Sequence, residues 1–162
     1  MSLDSLLQAA LPPVLVNNQP VGPTMVIGLG GSGKEVVLRL RRMIVERYGA
    51  LDRLPFLRFM HLDTDMNQTA AEQYDLRASD DPLYDYVRFT PSERIDLTVP
   101  GGTGKYVEHL EHFPNVKRWF PAGGKIGHLG DLREGAGQVR IASRLGFFDA
   151  SNHQKIAGRL EQ

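Results

Sequence analysis

A glycine-rich run is the part of this sequence whose residue types and spacing could carry chemistry. It reads Gly28-Leu29-Gly30-Gly31-Ser32-Gly33-Lys34-Glu35. Glycine has no Cβ, so it permits a tight turn and lets a ligand approach the backbone closely. Where such a run opens a helix, the free N–H groups of the first turn and the positive end of the helix dipole face outward. The run therefore predicts a site for an anion, most often a phosphate.

Two nucleotide-binding patterns and one structural alternative compete for this run. The P-loop pattern G-x-x-x-x-G-K begins at Gly28, but Glu35 stands where a Ser or Thr should hold magnesium. The dinucleotide pattern G-x-G-x-x-G also begins at Gly28 and would imply NAD(P) or FAD. Its acidic residue is expected about 20 residues further on, whereas Asp63 follows Gly33 by 30. A turn that only packs a helix on a strand would need fewer glycines.

The elements around the run predict a parallel sheet. Residues 24–27 are a short apolar strand, and residues 34–48 carry apolar residues at helical spacing. Residues 57–62 form a second strand candidate, which ends at Asp63 and Asp65. Strand, glycine turn, helix and strand make the first βαβ unit of an α/β fold. We expect a Rossmann-like, mostly parallel sheet flanked by helices, with the glycine run at the carboxyl edge of its first strand.

Two segments of the chain resemble one known family. The run MVIGLGGSGKEVVLRLRR, followed by FMHLDTD, resembles the opening of the tubulin and bacterial cell-division superfamily, and more specifically the bacterial tubulin-like proteins. The later run Gly135-Ala136-Gly137-Gln138-Val139-Arg140, ahead of Ser143-Arg144-Leu145, resembles that family's G-A-G loop beside the terminal phosphate. The resemblance covers roughly residues 24–66 and 130–150. The resemblance implies a third nucleotide-binding interpretation of the glycine run, as part of an incomplete tubulin-type GTPase domain.

The resemblance implies three loops around the phosphates of GTP. The first loop would be Gly28, Leu29, Gly30, Gly31, Ser32, Gly33 and Lys34. Asp63 and Asp65 would form the second loop, near the phosphates and the Mg²⁺ that accompanies GTP, with no metal held by the protein alone. Gly135, Ala136, Gly137 and Gln138 would form the third loop, closing on the γ-phosphate with backbone donors. Arg140 would either add positive charge there or lie on the surface.

The chain also departs from the family pattern. The signature loop G-G-G-T-G-T-G does not follow these elements, and the similar run at residues 101–105 precedes the third loop, so we interpret it as a turn before a helix. In the family, the guanine contacts and the acidic loop for hydrolysis come from later elements. We therefore expect this chain to be the amino-terminal part of a longer protein that forms filaments or acts as a scaffold. Self-association is expected through that longer protein. The fragment alone should bind nucleotide weakly without hydrolysing it, and a non-catalytic interaction module stays an alternative.

Composition excludes several functional classes. The 162 residues carry 19 basic and 19 acidic side chains, so the protein has no net positive charge that would favour binding to nucleic acid or anionic lipid. The absence of cysteine excludes disulfides, thiolate metal sites and a cysteine nucleophile. No apolar run approaches the roughly 18–20 residues that cross a bilayer. Asp4 lies in the region where a signal peptide carries basic residues. We expect a cytoplasmic protein.

The remaining segments give weaker predictions. Residues 1–23 are expected to form an amino-terminal helix (3–11) and a linker (14–23), ahead of a nucleotide-binding domain over residues 24–162. Within that domain we predict strands at 86–90 and 95–99, a helix near 105–113 that Pro114 ends, a loop over 120–137, and helices at 139–148 and 153–162.

Three other groups of side chains are assigned structural roles. His109 and His112 lie three residues apart, but metal binding needs a third ligand and a buried pocket, so a solvated helix face is favoured. The cluster Arg39, Arg41 and Arg42 is also assigned to a solvated face. The pair Trp119-Phe120 is interpreted as a core anchor and not as a platform for stacking bases.

Overall fold

The computed structural model describes residues 15–16, 19–65, 82–121, 132, 135–136 and 140–161. The strands are β1 (Leu15–Val16), β2 (Gln19–Pro20), β3 (Thr24–Leu29), β4 (Leu57–Asp63) and β5 (Arg94–Asp96). The α-helices are α1 (Gly30–Tyr48), α2 (Tyr84–Val87), α3 (Gly104–Glu108), α4 (Pro114–Lys117), α5 (Arg140–Phe148) and α6 (Ala150–Leu160). Short 3₁₀ turns occur at Leu51–Arg53, Pro91–Glu93 and Leu110–His112. The predicted helix at residues 3–11 lies outside the described residues.

A parallel sheet carries the glycine run. Its strand order is β3-β4-β5, and both pairs of strands are parallel. Gly28 is in register with His61, and Leu62 with Ile95. Helix α1 makes the crossover from β3 to β4, as a parallel connection requires. The prediction of an α/β, Rossmann-like fold with a parallel sheet flanked by helices is confirmed.

Helices pack on both faces of this sheet. On one face, Val37 and Ile44 of α1 pack with Phe59 of β4 and with Phe89. On the other face, a second cluster includes Ile156 of α6, and its members are Met60, Leu62, Ile95, Leu97 and Ile156. A third cluster joins α3, α4 and α5, with Val99, Tyr106, Val116, Phe120, Leu132, Ala136, Ala142 and Leu145. The pair Trp119-Phe120 is confirmed as a core anchor, since Phe120 is buried in this cluster and Trp119 packs against it.

Helix α1 differs from its prediction in two respects. It begins at Gly30, directly after β3, and not at residue 34; Gly49, with a φ of 87°, ends it by donating its N–H to the Val45 carbonyl. The predicted apolar stripe is only partly buried, because Val36 and Met43 are exposed.

The assignment of Arg41 to a solvated face is wrong. Its side chain is 3% exposed, and Nη1 donates to Glu93 Oε1 at 2.8 Å. Nη2 donates to the Arg88 carbonyl at 2.8 Å. The guanidinium carbon lies 5.1 Å from the Phe59 ring centroid and 4.9 Å from that of Phe89. A buried arginine is tolerated here because a carboxylate, a carbonyl and two ring faces surround it.

Several other element predictions are corrected. The linker at 14–23 contains the antiparallel pair β1 and β2. The strand expected at 86–90 is replaced by α2 and an extended segment, and the strand expected at 95–99 is limited to Arg94–Asp96. Residues 105–113 are divided between α3 and a 3₁₀ turn, and Pro114 begins α4. The helix expected at 139–148 is confirmed as α5. The helix expected at 153–162 is confirmed as α6, but it begins earlier, at Ala150, and ends at Leu160.

Among the described residues, no helix combines the length and the apolar character that a membrane span requires.

Candidate functional site

Two glycines allow β3 and α1 to meet at close range. A Cβ on Gly28 would lie 2.7 Å from the Gly33 carbonyl oxygen and 3.1 Å from Val37 Cγ2. A Cβ on Gly33 would lie 2.8 Å from the carbonyl carbon of Gly28. These distances are shorter than any side chain tolerates, so the two backbones can cross only where both residues are glycine. The first and last glycines of the run therefore set the geometry of the turn.

The two middle glycines face open space. A Cβ on Gly30 or on Gly31 would meet no atom within 4 Å. Gly30 has a φ of 67°, a conformation that disfavours other residues, whereas Gly31 does not. Leu29, which precedes α1, has no side-chain acceptor for the N–H groups of the first turn. This end of α1 thus has the open, uncapped backbone that an anion site needs.

His61 lies beneath the glycine run and is fully buried. Its Nε2 is 3.3 Å from the Gly30 carbonyl oxygen and 3.6 Å from Asp63 Oδ2. In the part of the chain that the structure describes, its Nδ1 has no hydrogen-bond partner. One ring therefore joins the glycine run of α1 to the acidic end of β4.

Asp63 presents a carboxylate at the end of β4. Its Oδ1 accepts the Asp65 N–H at 3.0 Å, while Oδ2 is buried, lies 3.6 Å from His61 Nε2 and has no hydrogen-bond partner among the described residues. Burial alone would raise the pKa of Asp63, but the His61 side chain and the Asp65 N–H outweigh burial and hold the pKa below its usual value. Asp63 is therefore ionised at neutral pH, with one oxygen available to a cation or a donor.

The third predicted loop lies against the second. A Cβ on Gly135, whose φ is 85°, would be 3.4 Å from Cβ of Asp65. Its neighbour Ala136 is buried in the cluster of α3, α4 and α5. The structure thus brings the described part of residues 135–138 to the carboxyl end of β4, while Gly137 and Gln138 lie outside the described residues.

Helix α5 approaches the sheet closely through one glycine. A Cβ on Gly146 would lie 2.8 Å from the Leu97 carbonyl oxygen and 2.9 Å from Thr64 Cγ2. Since no side chain fits there, α5 lies directly over the loops that follow β4 and β5. Asn152 of α6 supports this position, since its Nδ2 donates to the carbonyls of Thr98 and Gly146, each at 2.8 Å.

The cavity between these elements has a volume of ≈ 610 Å³. It is lined by Leu29, Gly30, Gly31, Leu62, Asp63, Thr64, Leu97, Ala136, Arg140, Ser143, Arg144 and Phe147. A volume of this size is in the range of small-molecule sites. The cavity lies at the carboxyl ends of parallel strands, where ligands of open α/β sheets bind.

Five predicted site residues line this cavity: Leu29, Gly30, Gly31, Asp63 and Ala136. Others support it from behind, namely Gly28, Gly33, Asp65 and Gly135, through the close contacts given above. Ser32 is exposed on α1, and Lys34 is buried without lining the cavity. The part played by Ser32 and Lys34 in binding stays a prediction.

Most of the cavity wall that α5 provides was not among the predicted site residues. Arg140 was considered for the site, Ser143 and Arg144 entered only as part of the family resemblance, and Phe147 was not named. Their spacing of three, four and seven residues from Arg140 places all four on one helical face, which is a signal that the sequence does contain.

Two further sets of residues lie outside this cavity. Gly101 and Gly102 have φ values of 76° and 82°, and the Gly102 N–H donates to the Val99 carbonyl, so residues 101–103 form the predicted turn before α3, which begins at Gly104. His109, Glu111 and His112 are exposed, and their ligand atoms lie within 4.8 Å of one another. Their exposure agrees with the predicted solvated face.

One comparison with known proteins gives a match. A family model described as "Tubulin like" matches residues 25–162. The matched range contains α1, all of β3 except Thr24, and every residue that lines the cavity. Comparisons with curated proteins and with solved structures give no match.

Proposed function

The chain belongs to the tubulin-like family, and we propose that its cavity binds the phosphates of GTP. One observation carries the proposal: three loops far apart in the sequence meet at a single cavity at the carboxyl edge of the sheet. The open backbone at Gly30 and Gly31 would receive a phosphate, Ala136 would close on it from the third loop, and the arginines of α5 would add positive charge.

The residues at the end of β4 also fit the Mg²⁺ that accompanies a nucleotide. Asp63 is ionised and has an oxygen without a hydrogen-bond partner among the described residues. Carboxylate oxygens are preferred ligands of Mg²⁺, which is usually shared between one or two carboxylates and the phosphates of the substrate. When bound, the ion would neutralise phosphate charge beside Asp63.

The proposal extends to the longer protein that the family implies. We propose that the nucleotide lies between successive subunits of a cytoplasmic, self-associating assembly, and that the chain alone binds nucleotide without hydrolysing it. No observation favours NAD(P), FAD or a purely structural role, so these serve as the alternative outcomes of the test.

Gly31→Val tests the proposed phosphate site. The side chain would project into open space beside the cavity and should leave the fold intact, while its branches occupy the anion position. We expect GTP binding by isothermal titration calorimetry to fall at least about tenfold, the loss of one or more charge-assisted contacts. Gly30→Val should also abolish binding, but its positive φ adds backbone strain.

Gly158→Val is the matched control. Gly158 is also helical, and a Cβ there would meet no atom within 4 Å. This variant should bind GTP as the unmodified chain does. Unchanged affinity in Gly31→Val would show that the glycine run is only structural. If the unmodified chain bound NAD more tightly than GTP or ATP, the ligand of this site would be a dinucleotide and not GTP.

A further inference from the structure

The face of α5 that lines the cavity carries two guanidinium groups. Arg140 and Arg144 are one helical turn apart, and both line the cavity with Ser143 and Phe147. Asp63 is the only acidic side chain among the residues that line this cavity in the described part of the chain. Two positive charges against one negative charge favour an anionic ligand.

Arg144 differs from Arg140 because aromatic rings hold its guanidinium. The guanidinium carbon of Arg144 lies 4.3 Å from the Trp119 ring centroid and 5.5 Å from that of Phe148. Stacking of this kind fixes the plane of the group and leaves its N–H edge available for a planar or tetrahedral anion. Within the described residues, no carboxylate forms an ion pair with Arg144.

The rings that hold Arg144 are themselves fixed. Trp119 packs against the core cluster that contains Phe120, and its ring centroid lies 5.7 Å from that of Phe148. A guanidinium held by a fixed ring loses less conformational freedom when it binds a ligand than a free side chain does. The structure therefore combines a positive group at the cavity with a support that orients it before a ligand arrives.

We propose that Arg144 is a phosphate-binding residue of this cavity and that Trp119 is the positioning residue that orients it. The inference rests on the proposed nucleotide site and assigns two residues to it that the glycine run does not include. Trp119 acts only through Arg144. A loss caused by changing Trp119 should therefore disappear once Arg144 has been replaced.

Trp119 also supplies a direct signal, because it is the only tryptophan in the chain. A phosphate that binds the Arg144 guanidinium 4.3 Å from the indole should alter the indole's fluorescence. We expect a saturable change when GTP or inorganic tripolyphosphate is added. Guanosine, which has no phosphate, should give no such change through Arg144.

The test compares Arg144→Gln, Trp119→Leu, Trp119→Phe and the double variant Trp119→Leu/Arg144→Gln by calorimetry with GTP and tripolyphosphate. Arg144→Gln should weaken both ligands by about 10–100-fold, the range for a hydrogen bond to a charged group. Trp119→Leu should weaken them about 2–5-fold, as loss of one partly exposed cation–π contact predicts. Trp119→Phe should restore binding, and the double variant should match Arg144→Gln alone.

Controls separate a specific role from a structural one. Arg39→Gln removes the same charge from an exposed position on α1 and should leave both affinities unchanged. Thermal unfolding of each variant shows whether Trp119→Leu retains the fold. If it does not, the fluorescence of Trp119 decides, because tripolyphosphate bound by an Arg144 guanidinium that lies on the indole should alter it and Arg144→Gln should abolish that change.

Different results overturn different claims. If the unmodified chain binds GTP but Arg144→Gln binds it equally well, the assignment of Arg144 is wrong and the proposed function stands. If Trp119→Leu is as harmful with Arg144→Gln as without it, Trp119 is not a positioning residue for Arg144. If the unmodified chain binds neither GTP nor tripolyphosphate at millimolar concentration, the proposed function and the inference both fail.

Discussion

At the scale of single residues, His61 is the side chain that connects the glycine run to the acidic end of β4. The Gly30 carbonyl lies 3.3 Å from Nε2, and Asp63 Oδ2 lies 3.6 Å from it; these are the polar contacts that orient the ring within the described ranges. Gly30 adopts its positive φ without strain because it has no Cβ, so the contact with Nε2 fixes the direction of its carbonyl and relieves no strain. His61 should therefore act on binding through the shape of the loop.

His61→Phe tests this link. The free energy of unfolding should fall by about 1–3 kcal/mol, because a larger ring enters a fully buried site and the Asp63 carboxylate loses its contact with Nε2. GTP affinity should fall several-fold as the Gly30 carbonyl loses its contact. Urea unfolding and calorimetry measure the two quantities separately, and His61→Gln, which keeps a donor, should recover part of the affinity. Unchanged affinity in His61→Phe would remove the proposed link.

Single residues also show what the sequence could and could not predict about the site. The glycines and Asp63 could be predicted because each lies at the end of a strand, where local pattern is enough. Arg144 could not be predicted in the same way, since its role depends on Trp119, 25 positions earlier. The burial of Arg41 likewise depends on Glu93, 52 positions away.

At the scale of elements, a helix or strand is predicted correctly where contacts between residues close in the sequence determine it. Strand β3, helix α1 and strand β4 were predicted because apolar runs and glycines mark their ends. The strand expected at 86–90 is wrong, because Thr90, Pro91 and Glu93 start a 3₁₀ turn in which the Thr90 N–H donates to Glu93 Oε2 at 2.7 Å. The spacing of Thr90 and Glu93 is a capping-box signal that could have shown this from the sequence.

The placement of α5 gives a prediction at this scale. Gly146→Ala would introduce a Cβ 2.8 Å from the Leu97 carbonyl oxygen and 2.9 Å from Thr64 Cγ2, so α5 would have to move away from the sheet. We expect a loss of about 1–3 kcal/mol in stability, as in other overpacked sites. GTP affinity should also fall, because Arg140 and Arg144 move with the helix.

Gly158→Ala is the control for that change. Gly158 lies in the neighbouring helix α6 with open space around a Cβ. The variant should be more stable by up to about 1 kcal/mol, since alanine favours a helix over glycine. Thermal unfolding followed by circular dichroism measures both variants. Equal stabilities of Gly146→Ala and the unmodified chain would show that the contact between α5 and the sheet is looser than the structure gives.

At the scale of the whole molecule, Asp149 joins the part of the chain before the third loop to the part after it. Its carboxylate accepts hydrogen bonds from Lys105 Nζ and Tyr106 Oη, both at 2.7 Å, and from the Ser151 N–H at the start of α6. Burial alone would raise the pKa of Asp149, but the hydrogen bonds from Lys105, Ser151 and Tyr106 outweigh it and lower the pKa to about 2. Burial and the Asp149 carboxylate raise the pKa of Tyr106.

The lowered pKa of Asp149 sets the direction in which the stability of the fold depends on pH. The folded-state pKa of Asp149 is below its ordinary value of 3.8, so the stabilisation is complete above pH 4 and is lost as the pH falls toward 2. A difference of this size corresponds to about 2 kcal/mol.

Asp149→Asn should remove most of that contribution at neutral pH and flatten the stability profile between pH 4 and pH 2, as urea unfolding at each pH would measure. Asp96→Asn is the matched control, because Asp96 accepts from the Thr98 N–H at 2.8 Å but has no ion pair among the described residues. An unchanged acid profile in Asp149→Asn would mean that the contacts of Asp149 with Lys105 and Tyr106 do not hold α3 and α6 together in solution.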